Sequence, residues 1–171
     1  DWFHYNSKFV PTSYRTTAIN DPYSTKSGYE NTADGWFVQT MPDFNHQNRL
    51  VMDYLIQASI WWIEWMHIDG IRQDTYPYND FDQMVRWCKA IEAEYPGFNI
   101  VGETWINNIV GCAYWQKDCK FSPRNSHLPS VMDFPLMYDL NYFADEPTND
   151  WDKGLARIYE HLTQDMVFAN P

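Results

Sequence analysis

Positive charge is scarce in this 171-residue sequence. Twelve Lys and Arg stand against 23 Asp and Glu, giving a net charge of −11 and an isoelectric point near 4.6. Nucleic-acid binding needs basic patches that neutralise phosphates, so a polynucleotide partner is not expected. No apolar run approaches the ~20 residues that span a bilayer, so no membrane segment is expected either. The opening residues, Asp1-Trp2-Phe3-His4, show neither the basic nor the apolar region of a leader peptide. Cysteine is rare: Cys88, Cys112 and Cys119 include no CxxC pair, which argues against a structural zinc. An odd count of three leaves at least one free thiol, and a Cys112–Cys119 loop is the less favoured arrangement. Glycine is also sparse, and no glycine-rich phosphate loop follows a strand, so a dinucleotide fold is disfavoured.

Aromatic residues are abundant. They make up 18% of the chain, with nine Trp and twelve Tyr, within a hydrophobic content of 44% that fits a globular core. Flat rings serve as bulky core or as stacking platforms for sugars, and composition alone does not choose between them.

Residues 1–46 are rich in Thr, Ser, Asn, Asp and Tyr and show no sustained apolar period. They read as a loop-dominated segment with one or two short strands. From Gln47 the pattern changes. Val51, Tyr54, Leu55, Ala58, Trp61, Trp62 and Trp65 recur at helical spacing, a stripe read as buried, with the tryptophans in the core. A strand then runs from Gly70 towards Asp74. Asp80, with Gln83 three residues on, reads as the cap of a second helix whose stripe is Phe81, Met84, Val85, Cys88 and Ile91. Pro96-Gly97 stops it, and 98–101 reads as a strand ending at Glu103. A loop over 106–129, a strand over 130–134 and a third helical stripe of Trp151, Leu155, Ile158, Tyr159 and Leu162 complete the pattern. Helix–strand alternation of this kind implies a parallel sheet with crossover helices. A (β/α) barrel is the remaining common solution, in which acidic residues at strand C-termini read as catalytic. Three strands do not close a barrel, so the chain is expected to be part of one.

Two short stretches carry the chemistry: Asp69-Gly70-Ile71-Arg72-Gln73-Asp74 and, 29 residues after Asp74, Val101-Gly102-Glu103-Thr104-Trp105. Each reads as a strand ending at an acid. Glycosidic-bond cleavage needs two carboxyl groups flanking the bond, and Asp74 and Glu103 are placed to be that pair if their strands adjoin. Arg72, two residues before Asp74, falls on the same face of its strand.

These stretches resemble the strand-four and strand-five motifs of the α-amylase family, glycoside hydrolase family 13. Met41-Pro42-Asp43-Phe44-Asn45 is similar to a motif of its neopullulanase and cyclomaltodextrinase branch, near the end of the loop domain (domain B) that follows barrel strand three. The resemblance implies an α/β fold: a partial (β/α)8 barrel, about strands four to six over 47–171, with most of domain B over 1–46. It implies a starch-, pullulan- or cyclodextrin-degrading hydrolase of α-1,4 bonds, with α-1,6 bonds also in reach, acting with retention. Asp74 matches the nucleophile and Glu103 the general acid/base. Beside them, Arg72, Tyr76, Tyr78, Trp105, Asp43 and Asn45 read as binding or supporting residues: Arg72 keeping Asp74 ionised, Tyr76 and Tyr78 as sugar platforms or loop packing, Trp105 beside the acid or on a sugar with core packing favoured, Asp43 and Asn45 bracing the loop segment on the barrel. His46 and His67 read as structural, and Asp133 as a weaker candidate for the cleft.

No cofactor is implied. Many members carry Lys-His or Glu three to four residues after the nucleophile, where this chain has Pro77 and Tyr78. A calcium ion therefore lacks a clear ligand set. The implied partner is an α-glucan, the implied location secreted or periplasmic, and open barrel edges suggest self-association of the chain by itself. The family's strand-three and strand-seven motifs, the latter carrying a third carboxylate, are expected outside residues 1–171. A transglycosylase is the main alternative. A non-catalytic amylase-like transport subunit is disfavoured because both carboxylates are retained.

Overall fold

A computed structural model describes residues 1–146 and 150–169. The final two residues of the 47–171 segment thus lie outside the described residues. The centre is a three-stranded parallel sheet in sequential order: β1 (Gly70–Gln73), β2 (Asn99–Gly102) and the two-residue β3 (Ser130–Val131). Register pairs Gln73 with Gly102 and Gly102 with Val131, so the C-terminal ends of the three strands are level. Levelled ends bring the loops that follow them to one side of the sheet, which is what a shared site requires.

The long helix α2 (Arg49–Met66) begins where the side chain of Asn48 accepts from the Leu50 amide, and ends at His67, held left-handed at φ 50°. At that position His67 closes the helix, in keeping with a structural reading. The predicted face of α2 is corrected. Trp61, Trp62 and Trp65 are more than half exposed, with Trp61 and Trp65 stacked at 5.8 Å. The buried residues are Val51, Met52, Ile56 and Ile63. Both sets recur at helical spacing, so periodicity finds the helix without choosing its inner side.

Helix α3 (Phe81–Glu94) follows the expected pattern. Asp80 accepts from the Gln83 amide at 2.9 Å, and Phe81, Met84, Trp87, Cys88 and Ile91 are buried. Gly97, at φ 81°, supplies the turn that releases the chain into β2. Trp87 Nε1 donates to Ser59 Oγ at 2.9 Å, tying α3 to α2. The core joins these helices to Ile100, Trp115 and Leu128 beneath the sheet. All three cysteines are buried free thiols, so no Cys112–Cys119 loop forms.

Residues 1–46 hold no strand among the described residues, only isolated bridges between Phe3 and Phe44 and between Pro11 and Trp36. They hold instead helix α1 (Lys26–Asp34), capped by Thr25 Oγ1, which accepts from the Gly28 amide at 3.1 Å. Its polar composition hid it. Only Thr32 and Ala33 are buried, and Thr12 Oγ1 donates to the Thr32 carbonyl at 2.9 Å to fasten it.

Two further helices replace predicted loop and strand. One is α4 (Ile109–Ala113); the other is α5 (Phe134–Asp145), which begins where a strand to residue 134 was expected. Asp133 stops that strand because its carboxylate accepts from the Leu136 amide at 3.0 Å and caps α5. The final helix, α6 (Leu155–Gln164), presents its apolar stripe outward. Trp151, Leu155, Tyr159 and Leu162 are exposed, whereas His161 is buried. No helix among the described residues is long and apolar enough to cross a membrane.

Candidate active site

The loops after β1 and β2 meet through one guanidinium. Arg72 Nη1 donates to Asp74, and Nη2 donates to Glu103 Oε1 at 2.5 Å. A planar fork of this kind fixes position as well as charge, because each acceptor must lie in its plane. The second oxygen of Glu103 accepts from the Thr75 amide at 2.8 Å. Thr75 adopts φ 47°, ψ 36°, a left-handed conformation uncommon for a β-branched residue. The strain turns that amide towards Glu103, and Asn79 Nδ2 holds the turn by donating to the Thr75 carbonyl at 2.8 Å. Asp74 has 59% of its side chain exposed and Glu103 13%, so one acid is open and the other recessed.

Gly102 lets the two loops close. A Cβ there would lie 2.7 Å from Leu128 Cδ2 and 3.0 Å from Tyr76 Cγ. Without it, the Tyr76 ring passes beneath the end of β2, and the Tyr76 amide donates to the Glu103 carbonyl at 3.2 Å.

The supporting residues divide. Tyr76 is core: 1% exposed, edge-on to Trp115 at 6.1 Å, and with its hydroxyl 3.4 Å from Cys88 Sγ. It offers no face to a sugar, which corrects the platform reading. Tyr78 is also buried, its hydroxyl donating to the Trp105 carbonyl at 3.2 Å, and burial pushes its pKa up to about 12 with Glu103 adding to the effect. One edge of Tyr78 nevertheless lines a cavity of about 510 Å³. Trp105, favoured for the core, is instead 53% exposed on the wall of that cavity. It stacks on Phe134 at 5.9 Å and donates from Nε1 to the Tyr138 hydroxyl at 2.6 Å. Tyr14, Arg15 and Tyr138 share the wall. No spacing in the sequence pointed to them, since Tyr14 and Arg15 come from one loop and Tyr138 from α5, more than a hundred residues later.

Asp43 braces the loop segment on itself, whereas Asn45 bonds both within it and to the start of the 47–171 segment. His4 Nδ1 lies 2.6 Å from the Asp43 carboxylate, and the Asn45 amide donates to the Trp2 carbonyl at 2.8 Å. Burial raises the pKa of Asp43, with His4 opposing the rise. Asn45 reaches the 47–171 segment by accepting from the Gln47 amide at 3.1 Å and the Asn48 amide at 3.0 Å, and Asn20 adds a second link by donating to the Gly111 carbonyl and accepting from Trp115 Nε1. Asp43 and Asp74 do line a second cavity of about 390 Å³ together with His46. His46 is buried, its Nδ1 has no hydrogen-bond partner, and burial lowers its pKa to about 4. Asp133 faces His161 and the cap of α5 instead of the two acids.

Known proteins carry the same arrangement of elements. No family model matches the chain. Aligned over 171 residues, it is 28% identical to the intracellular maltogenic amylase of Bacillus subtilis (strain 168), covering 99% of this chain and 24% of that protein. It is 28% identical over 147 residues to the cyclomaltodextrinase of Geobacillus thermopakistaniensis (strain MAS1), covering 85% of this chain and 21% of that one. The chain is thus similar to maltogenic amylases and cyclomaltodextrinases. The fold agrees. The crystal structure of an Anoxybacillus α-amylase superposes with a TM-score of 0.72 at 20% identity, covering 99% of this chain and 32% of that one. An α-amylase from Malbranchea cinnamomea gives 0.71 at 15% identity, covering the whole of this chain and 30% of its own. The three-stranded parallel sheet is therefore the partial barrel of an α-amylase-type fold. This chain spans about a quarter of the length of the curated relatives it matches.

Proposed function

We propose that the protein carrying this chain is a retaining glycoside hydrolase acting on α-1,4-linked glucans of the starch or cyclodextrin type, with α-1,6 bonds as further substrates. The single observation that carries this reading is the shared Arg72 fork, which holds one oxygen of Asp74 and one of Glu103 at the level ends of adjacent parallel strands. Such a grip suits the ~5–5.5 Å carboxyl separation of retention. In this reading β1, β2 and β3 are barrel strands four to six, and residues 1–46 belong to domain B.

Glu103 in its protonated form gives its proton to the glycosidic oxygen while Asp74 attacks the anomeric carbon. The leaving sugar departs with that proton. Glu103, now a carboxylate, takes a proton from water as the water's oxygen displaces Asp74 from the anomeric carbon. Both oxygens of resting Glu103 are occupied, by Arg72 and by the Thr75 amide, so one of those contacts gives way as substrate arrives. The exposed Asp74 is accessible to the sugar without such a rearrangement. Trp105, two residues past Glu103, shares the larger cavity with Tyr138 and Tyr14, whose rings suit stacking of sugar rings.

The test uses the intact protein. Asp74→Asn and Glu103→Gln should each lower maltoheptaose hydrolysis by several orders of magnitude while KM changes little, because each removes a group needed in the transition state. With an activated α-glucosyl fluoride, Glu103→Gln should accumulate a glycosyl adduct on Asp74, detectable by peptide mass spectrometry. Near-normal turnover in either variant would sink the assignment.

A further inference from the structure

Away from Asp74 and Glu103, three donors from different parts of the chain converge around a buried histidine. We propose that Asp133, His161 and Asp165 bind one divalent transition cation of the zinc class. Asp133 caps α5 just after β3, His161 lies in the last turn of α6, and Asp165 opens the short 3-10 helix that follows. One ligand atom from each lies within 4.8 Å of the others. His161 Nε2 is 3.2 Å from Asp133 Oδ2 and 3.9 Å from Asp165 Oδ1. Ligands at zinc distances of about 2.0–2.2 Å sit roughly 3.2–3.6 Å apart, so Asp165 would have to move inward to complete the set.

Two features separate this set from a chance cluster of surface acids. The other ring nitrogen of His161, Nδ1, is 2.8 Å from Asp139 Oδ2. A carboxylate on the far nitrogen orients the ring and keeps the Nδ1 proton, so that Nε2 presents a lone pair once a cation displaces the proton it shares with Asp133, the arrangement that supports metal-binding histidines. Asp165 Oδ1 is closed off from solvent and has no hydrogen-bond donor. A buried carboxylate oxygen left without a donor is costly, and a cation supplies what it lacks. Arg157 approaches Asp139 at 4.0 Å, and no Lys or Arg among the described residues pairs with Asp133 or Asp165. Two carboxylates with a neutral imidazole carry the charge that a dication balances. The nitrogen ligand favours zinc over calcium or magnesium, which prefer all-oxygen shells. Remaining positions on the ion would be taken by water, and the bound ion would pin α6 to the start of α5.

The experiment compares the intact protein with its Asp165→Asn and His161→Gln variants after chelator treatment. Equilibrium dialysis against zinc, with metal counted by mass spectrometry, should give one more tightly held equivalent in the parent than in either variant. Added zinc should raise the parent's Tm by several degrees and leave that of Asp165→Asn unchanged, and X-ray absorption should report a nitrogen–oxygen shell. Because Asp165 Oδ1 makes no hydrogen bond, Asp165→Asn should keep the parent's circular dichroism and decides the question if His161→Gln fails to fold. Equal zinc counts in the parent and a folded Asp165→Asn would overturn the proposal. They would leave His161 as a cation held between Asp139 and Asp133.

Discussion

Arg72→Lys in the intact protein isolates what the guanidinium contributes, because it keeps the charge and removes the fork. Arg72 makes two charge-assisted bonds, one to each acid. A lysine ammonium is a point donor on a flexible stem and can hold one carboxylate in place, leaving the other free to turn. Losing one such bond corresponds to about 1.5–3 kcal/mol. At about 1.4 kcal/mol per tenfold in rate, kcat should fall roughly tenfold to a hundredfold if the bond holds the pair in reacting geometry. Stability should change far less. Arg72 and Asp74 are both about half exposed, and solvent-screened ion pairs contribute about 1 kcal/mol or less. The assay is steady-state hydrolysis of maltoheptaose alongside thermal melting, with Arg72→Ala as the deeper lesion. A fall in kcat at nearly unchanged Tm and KM supports positioning. Unchanged kcat in Arg72→Lys would show that the Thr75 amide and the strand ends hold the acids without the fork. A collapse of Tm in step with kcat would make Arg72 a structural residue.

Tyr76→Ala should cost about 3–5 kcal/mol of stability, as for other large buried rings, whereas Trp105→Ala should cost about 1 kcal/mol and instead raise KM or shorten products; melting and product chromatography separate the two. His46 has a folded pKa near 4 against an ordinary 6.5, so the unfolded chain binds more protons between those values and stability falls as pH drops through that window. At pH 4 the loss is about 3 kcal/mol, and His46→Gln should flatten that part of the Tm–pH curve; His4, whose pKa is raised, has the opposite slope and is common to both proteins. The 171-residue chain by itself should be inactive on maltoheptaose and should self-associate through the exposed tryptophan face of α2 and the outward stripe of α6, as read by reducing-end release and light scattering; a monodisperse, active chain would contradict both expectations.

The local grammar of the chain was legible because it depends on near neighbours. The Asp80 cap, the Gly97 stop, the two strands ending at Asp74 and Glu103 and the identity of the long helix follow from residues within a few positions of one another. So does the pairing of Arg72 with Asp74, two residues apart on one face of a strand. Helix α1 escaped because its stability comes from a polar cap and from Thr12, twenty residues away, with almost no apolar period to detect.

Tertiary structure decided the rest. Which face of α2 is buried depends on where α3 packs, and a helical period is equally satisfied by the tryptophan stripe left outside. Tyr76 and Trp105 flank the same acids and are similar in composition, yet the missing Cβ of Gly102 draws one under the sheet and leaves the other on a cavity wall. The amide of Thr75 and the second arm of Arg72 reach Glu103 only once β1 and β2 are in register. By itself the sequence specified the two acids and the strands that carry them, since residue type and local period are written along the chain. Their joint hold on one guanidinium, and the approach of Asp133 to His161, exist only after packing, because the Arg72–Glu103 and Asp133–His161 contacts span 31 and 28 residues and no local pattern encodes them.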